Sequence, residues 1–293
     1  MKPEIILDAQ AELGEGPAWD AKNQTLYWLD ILGKRIHYHR GDQDGFVQLD
    51  EMPGCLVLSK DGSLLVAAHA SILKLEPIDL TQERPATVTH TVLASVTEHA
   101  NNRFNDGKCD PAGRFLAGSM NMDEETPSGA LYSFDGSTVT RLLSDIRISN
   151  GLAWSPDHKT LYYIDTPTSE VKAFDYDLST GQIAEPRVII HIPEALGWPD
   201  GMTSDTDGNL WIAMWSGASV TRWNPQSGKL LEQIPLPAKN VTSCAFGGED
   251  LDELYITSAR VGLSEADLTA YRHSGSLMRV KTKVQGMPTF EFG

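Results

Sequence analysis

Apolar residues recur in short paired runs, six times along the chain. The six stretches are "PAWDAKNQTLYWLD", "LVLSKDGSLLVAA", "GKCDPAGRFLAGS", "GLAWSPDHKTLYYID", "GMTSDTDGNLWIAM" and "CAFGGEDLDELYITS". In each stretch, Asp, Gly, Asn or Pro separates the two apolar runs, which is typical of two strands joined by a tight turn. The pattern therefore predicts six related β-hairpins.

The spacing of these hairpins indicates the architecture. Their second strands begin at Leu26, Leu64, Phe115, Leu161, Leu210 and Leu254, with separations of 38, 51, 46, 49 and 44 residues. A period of about 40 to 50 residues with two to four strands per unit is typical of propeller blades. Stretches such as "GALYSFDG" and "GSLMRVKTK" supply the outer strands. The sequence predicts an all-β, six-bladed β-propeller.

The two ends of the chain read as further strands, "EIILDAQ" and "PTFEF". We expect the N-terminal strand to complete the last blade, because a closed ring leaves no large sheet edge unprotected. No linker-like segment or change in composition interrupts the repeats. Residues 1–293 are therefore expected to form a single propeller domain.

Composition restricts the class of partner. The 293 residues carry a formal net charge of −16, which disfavours binding to nucleic acid or to an anionic membrane surface. Metal ions and neutral solutes remain as ligands. No apolar run approaches the roughly 20 residues of a membrane span, and the apolar stretch of "MKPEIILDAQ" is shorter than we expect of a signal peptide. We expect a soluble, cytoplasmic monomer, in which the three widely spaced cysteines are core residues rather than disulfides or thiolate ligands.

Polar residues share one position in several repeats. Glu15, Asn150 and Asp200 each stand directly before a glycine at the start of an inner strand, and Asn105 or Asp106 falls at the same position in the third repeat. A dinucleotide-binding loop is excluded at Glu15, because Trp19 occupies the third glycine position and a strand follows. In a propeller, the inner strands converge on the central channel, so these side chains are expected to meet.

Carboxylate and amide oxygens without histidine or thiolate suit a hard divalent cation, and two buried carboxylates need a positive partner. The sequence thus predicts one divalent metal ion in the central channel, with calcium as the first expectation and zinc, magnesium or manganese as alternatives. The competing interpretation is that these Asp-Gly and Asn-Gly pairs are only hairpin turns. Glutamate is a poor turn residue, which favours the metal.

Neighbouring residues are candidates for binding a solute. Arg103 and Asn105 alternate along "NNRFNDGK" and therefore face the same way, and both can donate hydrogen bonds to hydroxyl or carbonyl oxygens. The acidic segment "NMDEETPSG" is either a lid or a solvated loop. Among the tryptophans, Trp198 and Trp215 lie nearest the channel mouth and are candidate pocket walls. The chain lacks GxSxG, HExxH and Walker motifs.

Five long motifs carry a family resemblance: "LGEGPAWD", "NNRFNDGKCDPAGRFLAGSM", "SNGLAWSPDHKTLYYIDT", "PDGMTSDTDGNLWIAMW" and "TSCAFGGEDLDELYITSAR". Together they resemble the senescence marker protein, regucalcin and gluconolactonase family nearly end to end. The resemblance implies a six-bladed propeller that holds one divalent metal ion and hydrolyses sugar lactones. By match to the family motifs, the metal ligands are Glu15, Asn150 and Asp200.

The same resemblance assigns the remaining roles. Arg103 and Asn105 correspond to the substrate-binding pair, and the acidic residue after "AGSM" corresponds to an acceptor for sugar hydroxyls. Direct counting favours Asp123 for that role, where animal members have glutamate, although Glu124 and Glu125 follow it.

The implied chemistry is metal-assisted hydrolysis of a carboxylic ester, with Asp200 as the candidate general base. The expected substrates are aldonolactones, either gluconolactone-like or pentonolactones. Two alternatives share the same metal ligands: a calcium-binding or calcium-buffering protein, and a promiscuous phosphotriesterase of the same architecture.

Overall fold

The computed structural model describes residues 1–78, 80 and 88–293, and its regular secondary structure consists almost entirely of β-strands. Six antiparallel four-stranded sheets, here called blades 1 to 6, follow one another along the chain. The six-bladed propeller predicted from the hairpin repeat is therefore confirmed, and all six predicted apolar anchors lie in the second strand of a blade.

Blades 1 to 3 contain the strands that follow a short N-terminal strand, β1 (Glu4–Leu7). Blade 1 consists of β2 (Gly14–Asp20), β3 (Thr25–Asp30), β4 (Arg35–Arg40) and β5 (Gln43–Gln48). Blade 2 consists of β6 (Pro53–Leu58), β7 (Leu64–Ala68), β8 (Ser71–Leu75) and β9 (His90–Ser95). Blade 3 consists of β10 (Asn102–Cys109), β11 (Phe115–Asn121), β12 (Gly129–Phe134) and β13 (Val139–Ile146).

Blades 4 to 6 repeat this arrangement. Blade 4 consists of β14 (Ser149–Trp154), β15 (Thr160–Asp165), β16 (Glu170–Asp177) and β17 (Gln182–His191). Blade 5 consists of β18 (Trp198–Ser204), β19 (Leu210–Trp215), β20 (Ser219–Asn224) and β21 (Lys229–Pro235). Blade 6 consists of β22 (Asn240–Gly247), β23 (Glu253–Ala259), β24 (Leu277–Lys281) and β1.

Among the residues that the structure describes, helical structure is confined to short segments between strands. Two 3₁₀ turns span Thr166–Thr168 and Glu194–Leu196, and one α-helix, α1 (Glu265–Ala270), lies between β23 and β24. Helix α1 begins with a capping box, in which Ser264 and Asp267 each accept a hydrogen bond from the other's backbone N–H. In the described ranges, no helix is long and apolar enough to cross a bilayer.

The ring is closed at blade 6 by a strand from the beginning of the chain. β1 pairs antiparallel with β24, as the sequence predicts. The first strands of neighbouring blades contact one another in a cycle that returns from β22 to β2. The C-terminal prediction was wrong: "PTFEF" is not a strand, and within it only Phe292 forms an isolated bridge, to Ser59. Two aromatic side chains of this segment pack instead, Phe292 on Phe134 and Phe290 on Trp154.

The hydrophobic core lies between blades rather than within one layer. Six clusters of buried apolar residues each join two neighbouring blades, including blades 6 and 1. Because alternate side chains of a strand point to opposite faces, the middle strands are buried on both sides, and all six residues of β3, "TLYWLD", are buried. Cys55, Cys109 and Cys244 are buried free thiols in these clusters, as predicted.

Candidate functional site

The first strand of every blade has a β-bulge near its start. The pairing with the second strand shifts register after Glu15, Pro53, Phe104, Asn150, Pro199 and Val241. A bulge interrupts the alternation of side chains and redirects them locally. The six shifts fall at or beside the shared position identified in the sequence, so each blade presents one residue to the same level of the channel. In blade 1 the bulge includes Gly16, whose φ of 53° favours glycine.

A hydrogen-bond network joins the predicted residues of blades 3, 4 and 5. Arg103 Nη1 donates to Asn105 Oδ1 at 2.7 Å, and Asn105 Nδ2 donates to Asn150 Oδ1 at 3.0 Å. Asn150 Nδ2 donates to Thr166 Oγ1 at 2.8 Å, and Thr166 Oγ1 donates to the Pro199 carbonyl at 2.7 Å. The network therefore ends at the residue directly before Asp200, and Thr166 is a member that the sequence did not reveal.

Asn105 uses its amide group within the protein. Besides Asn150 Oδ1, its Nδ2 donates to the Ser149 carbonyl at 2.9 Å, so both amide hydrogens have partners. Its oxygen accepts from Arg103. Asn105 thus holds Asn150 and Arg103 in fixed orientations.

Glu15 and Asp200 are buried carboxylates that line one cavity. Burial, and then the nearby charge of Asp106, raises the pKa of Glu15 to about 8. Burial, and then the charge of Glu15, raises the pKa of Asp200 well above its ordinary range. Because the charge of Glu15 contributes to the raised pKa of Asp200, the two carboxylates repel each other when both are ionised.

Two of the other buried carboxylates in the same protein have a basic partner. Asp110 pairs with Arg114 and Asp205 pairs with Arg222, each at 2.6 Å. Within the described residues, Glu15 and Asp200 form no such ion pair within 4 Å. Arg103 supplies a compensating positive charge that lowers the pKa of both carboxyl groups, and burial lowers its own pKa while Glu15, Glu124 and Asp200 raise it. The pair therefore lacks a direct cationic partner.

The cavity has a polar floor and largely apolar walls. Its volume is about 720 Å³, within the range of roughly 300–1,000 Å³ of small-molecule sites. Glu15, Arg103, Asn105, Asn150 and Asp200 line it together. The apolar lining consists of Leu13, Leu32, Met52, Met120, Met122, Ile148, Pro167, Trp198, Trp215 and Val261. Both tryptophans that the sequence assigned to the pocket wall are among these residues, and Trp198 is 45% exposed there.

The acidic loop contributes a different residue from the one favoured by counting. Asp123 is outside the cavity lining, and its carboxylate accepts hydrogen bonds from the backbone N–H groups of Glu125 and Thr126 and from Thr126 Oγ1. These contacts close a turn within the loop and lower the pKa of Asp123. Glu124, the next residue, lines the cavity. The hydroxyl-binding role predicted for Asp123 is thus available to Glu124 in this structure.

Two further charged groups lie deeper in the channel, below the floor of the large cavity. Asp106 and Lys108 line a smaller cavity of about 60 Å³, which Met287, Pro288 and Phe290 of the C-terminal segment also line. Burial raises the pKa of Asp106 and lowers that of Lys108. Lys108 stands two residues after Asp106 in β10, and this spacing is the sequence signal that places both side chains on one face of the strand.

The donor set fits a hard divalent cation. Glu15, Asn150 and Asp200 offer carboxylate and amide oxygens, and the two carboxylates are buried without a basic partner at ion-pair distance. No group of three or more His, Cys, Asp or Glu side chains suited to a metal occurs in the ranges described above. A site at this position would therefore depend on the amide oxygen of Asn150 as its third protein ligand.

Fold and site together define a six-bladed propeller with an oxygen-lined cavity at one end of its channel. The sequence pattern of the family described as "SMP-30/Gluconolactonase/LRE-like region" matches residues 13–260, and the chain belongs to this family. The family includes gluconolactonases, so the resemblance found in the sequence is confirmed.

Individual relatives extend over nearly the whole chain. Regucalcin of Danio rerio is 36% identical over 298 residues, covering 100% of this chain and 98% of the relative. YvrE of Bacillus subtilis (strain 168), named provisionally as a sugar lactone lactonase, is 36% identical over 301 residues, covering 97% and 96%. The structure of a calcium-binding protein, regucalcin, from Agrobacterium tumefaciens str. C58 superposes with a TM-score of 0.92 at 27% identity, covering 99% of this chain and 96% of that one.

Proposed function

We propose that this protein is a hydrolase that opens sugar lactones with the help of one divalent cation. The observation that carries the proposal is the convergence of Glu15 and Asp200, buried without an ion-pair partner, with Asn150 and Arg103 at the floor of a 720 Å³ cavity. The name of the Bacillus relative, at 36% identity, supports the reaction class. The expected substrates are five- or six-membered aldonolactones.

The cation would be held by Glu15, Asn150 and Asp200, and calcium is the first candidate because the donors are all oxygen atoms. The Agrobacterium structure, which is described as calcium-binding, supports this choice. Asn105 holds the side chain of Asn150 through its hydrogen bond of 3.0 Å, which presents the remaining lone pair of Asn150 Oδ1. A bound divalent cation would polarise the lactone carbonyl and stabilise the charge that develops on its oxygen.

The protein's own groups then have separate tasks. Water adds to the carbonyl carbon, the ring C–O bond breaks, and the ring oxygen leaves as a hydroxyl group, which gives the open-chain hydroxy acid. Asp200 accepts the proton of the attacking water and returns it to the leaving oxygen. Arg103, which uses its Nη1 for Phe104 and Asn105, has further N–H groups with which to hold the substrate's carbonyl oxygen.

The walls of the cavity bind the rest of the sugar. Trp198 and Trp215 offer flat apolar faces against which the C–H groups of a sugar ring can pack. Glu124 lies on the same cavity and accepts hydrogen bonds from ring hydroxyls. These contacts position the ring so that its carbonyl carbon meets the attacking water beside Asp200.

A calcium-binding or calcium-buffering protein is the second candidate, and the description of the Agrobacterium structure favours it. Such a protein needs the same three ligands but no turnover. The two candidates differ in whether any lactone is hydrolysed when the cation is bound.

The decisive experiment is a pH-indicator assay of lactone opening on a panel of aldonolactones, corrected for spontaneous hydrolysis, with and without chelator. We expect metal-dependent turnover, and Asp200→Ala should lower kcat/KM by at least about 100-fold. Asp42→Ala, at an exposed turn, is the matched control and should leave kcat/KM unchanged. Turnover that survives both chelation and Asp200→Ala would overturn the mechanism, and absence of turnover on every lactone would favour calcium binding alone.

A further inference from the structure

A second guanidinium group, that of Arg147, lines the same cavity as Arg103. Arg147 lies in the connection between β13 and β14, two residues before β14 begins. Its Nη2 donates to the backbone carbonyl of Glu124 at 3.2 Å. Its Nε is buried and has no hydrogen-bond partner in the part of the chain that the structure describes. A buried N–H without a partner is rare in folded proteins and points to a missing acceptor.

The charge of Arg147 is also not paired directly. Arg114, Arg187, Arg222 and Arg279 each have a carboxylate oxygen within 3.1 Å. Within the described ranges, neither Arg103 nor Arg147 has one within 4 Å. The cavity thus contains two guanidinium groups that are not in ion pairs.

The acidic residue beside Arg147 is occupied by main-chain donors. The Asp165 carboxylate accepts from the backbone N–H of Arg147 at 3.3 Å and from that of Ile148 at 2.9 Å. Asp165 therefore anchors the backbone of this connection and leaves the guanidinium free to turn toward the cavity. Glu124, whose carbonyl accepts from Arg147, presents a carboxylate to the same cavity and serves hydroxyl donors rather than anions.

We propose that Arg147 binds an anionic substituent of the substrate, a carboxylate or a phosphate carried at a distance from the lactone carbonyl. This proposal rests on the proposed lactonase function. Arg103 lies on the floor beside Asn105 and serves the carbonyl, whereas Arg147 is held by the acidic loop and serves the far end of the substrate. A guanidinium offers a planar fork of donors that matches both anions. The cavity of about 720 Å³ has room for such a substituent beyond a single sugar ring.

The test compares three six-membered lactones that differ only at the far end: glucono-δ-lactone, which is neutral, glucaro-δ-lactone, which carries a carboxylate, and 6-phosphoglucono-δ-lactone. We expect the parent protein to hydrolyse at least one anionic lactone with a kcat/KM at least about 10-fold above that of the neutral one. Arg147→Gln should lower kcat/KM for that substrate by about 10-fold to 100-fold, mainly through KM, and for the neutral lactone by less than about 3-fold. The preferred anionic lactone identifies the substituent.

Two variants control for charge and for folding. Arg141→Gln removes the same charge from the exposed strand β13, where Arg141 lies over the ring of Tyr132, and should change none of the three rates. Arg147→Lys keeps the charge but loses the fork, and should retain an intermediate preference for the anion. Activity of Arg147→Gln on the neutral lactone shows that the variant is folded.

Binding of the open-chain products separates failure of this proposal from failure of the lactonase function. Calorimetry on the calcium-loaded protein with gluconate, glucarate and 6-phosphogluconate should show tighter binding of a product that carries a second anionic group at the far end, and Arg147→Gln should abolish the difference. Equal kcat/KM values for all three lactones, or equal losses in Arg147→Gln, would overturn the proposal while leaving the lactonase function intact. If no lactone is hydrolysed but the binding preference is present, the lactonase function fails and the anion-binding role of Arg147 stands.

Discussion

Lys108 Nζ donates a hydrogen bond of 2.7 Å to the backbone carbonyl of Met202, across the channel from blade 3 to blade 5. Met202 lies two residues after Asp200 in β18, so this contact fixes the strand segment that carries Asp200. Burial lowers the pKa of Lys108, whereas the neighbouring Asp106 carboxylate raises it. The Lys108 amino group thus joins blade 3 to blade 5 within the channel, beside Asp106.

Replacing Lys108 by Met should destabilise the protein. The change leaves the Met202 carbonyl without its donor and removes the amino group beside Asp106, which we expect to cost about 1–3 kcal/mol of unfolding free energy. Urea unfolding in the presence of chelator measures this loss. Lys229→Met, at an exposed position of β21, is the matched control. Equal unfolding midpoints for the two variants would show that the contact across the channel does not contribute to stability.

One divalent cation should bind per chain, with Glu15 and Asp200 as ligands. Glu15→Gln and Asp200→Asn each replace a charged oxygen donor by a neutral one, so each should weaken calcium binding by at least about 10-fold. Elemental analysis of the purified protein and calorimetric titration after chelation give the stoichiometry and the affinity. Asp42→Asn changes the net charge equally at an exposed turn and should bind like the parent. Parent-like affinity in both ligand variants would show that the cation binds elsewhere.

Calcium should stabilise the protein more at high pH than at low pH. In the cation-free protein, the pKa of Glu15 is raised from 4.5 to about 8, and that of Asp200 is raised as well. Between pH 4.5 and about pH 8, Glu15 therefore binds more protons in the folded state than in the unfolded state. The contribution of the site to stability falls as pH rises through this range. A bound cation removes this loss, because it takes the place of the protons.

Differential scanning fluorimetry with chelator or excess calcium, at about pH 5.5 and about pH 8.5, measures this effect as the gain in Tm on adding calcium. The gain should be larger at the higher pH. Glu15→Gln should show a smaller dependence on pH than the parent, because one of the two titrating groups is gone. A gain in Tm that is the same at both pH values would contradict the linkage.

Glu124 and Asp123 should differ in their effect on substrate preference. Glu124→Gln removes a charged hydroxyl acceptor from the cavity wall and should change the ranking of aldonolactones, with changes in kcat/KM of about 10-fold for the most affected sugar. Asp123→Asn retains an oxygen for the turn around Thr126 and should leave the ranking unchanged. Kinetics of both variants on the same lactone panel give the comparison. The opposite result would return the hydroxyl-binding role to Asp123.

The repeat of hairpins made the fold predictable. Each hairpin combines turn residues with apolar runs, as in "TLYWLD" of β3, and such local signals are legible in one sequence because they do not depend on distant contacts. The shared position of Glu15, Asn150 and Asp200 could be recognised for the same reason, since every blade repeats the same local geometry. The C-terminal "PTFEF" could not be predicted in this way, because its aromatic residues pack on blades 3 and 4 instead of pairing as a strand.

The details of the site depend on contacts of the folded chain, some of them local turns and others between residues far apart in the sequence. A turn in which Thr126 binds the Asp123 carboxylate leaves Glu124 in the cavity lining, and counting along the sequence does not reveal this arrangement. The hydrogen bond from Lys108 to the Met202 carbonyl joins residues that are 94 positions apart in the sequence. The bulges that redirect the candidate ligands arise from the pairing of two strands, so they too are features of the folded sheet rather than of a motif.

The pairing of β1 with β24 has a consequence for how the protein is made. The partner of Glu4–Leu7 is Leu277–Lys281, so the first strand leaves the ribosome without the strand it will pair with and stays unpaired through nearly the whole of translation. Until residue 281 emerges, the nascent chain exposes the apolar faces of blades 1 and 6 that later form their shared cluster. Ring closure is therefore a late event of synthesis, and chaperones that shield apolar strands would act on this chain before its channel, and any site within it, is complete.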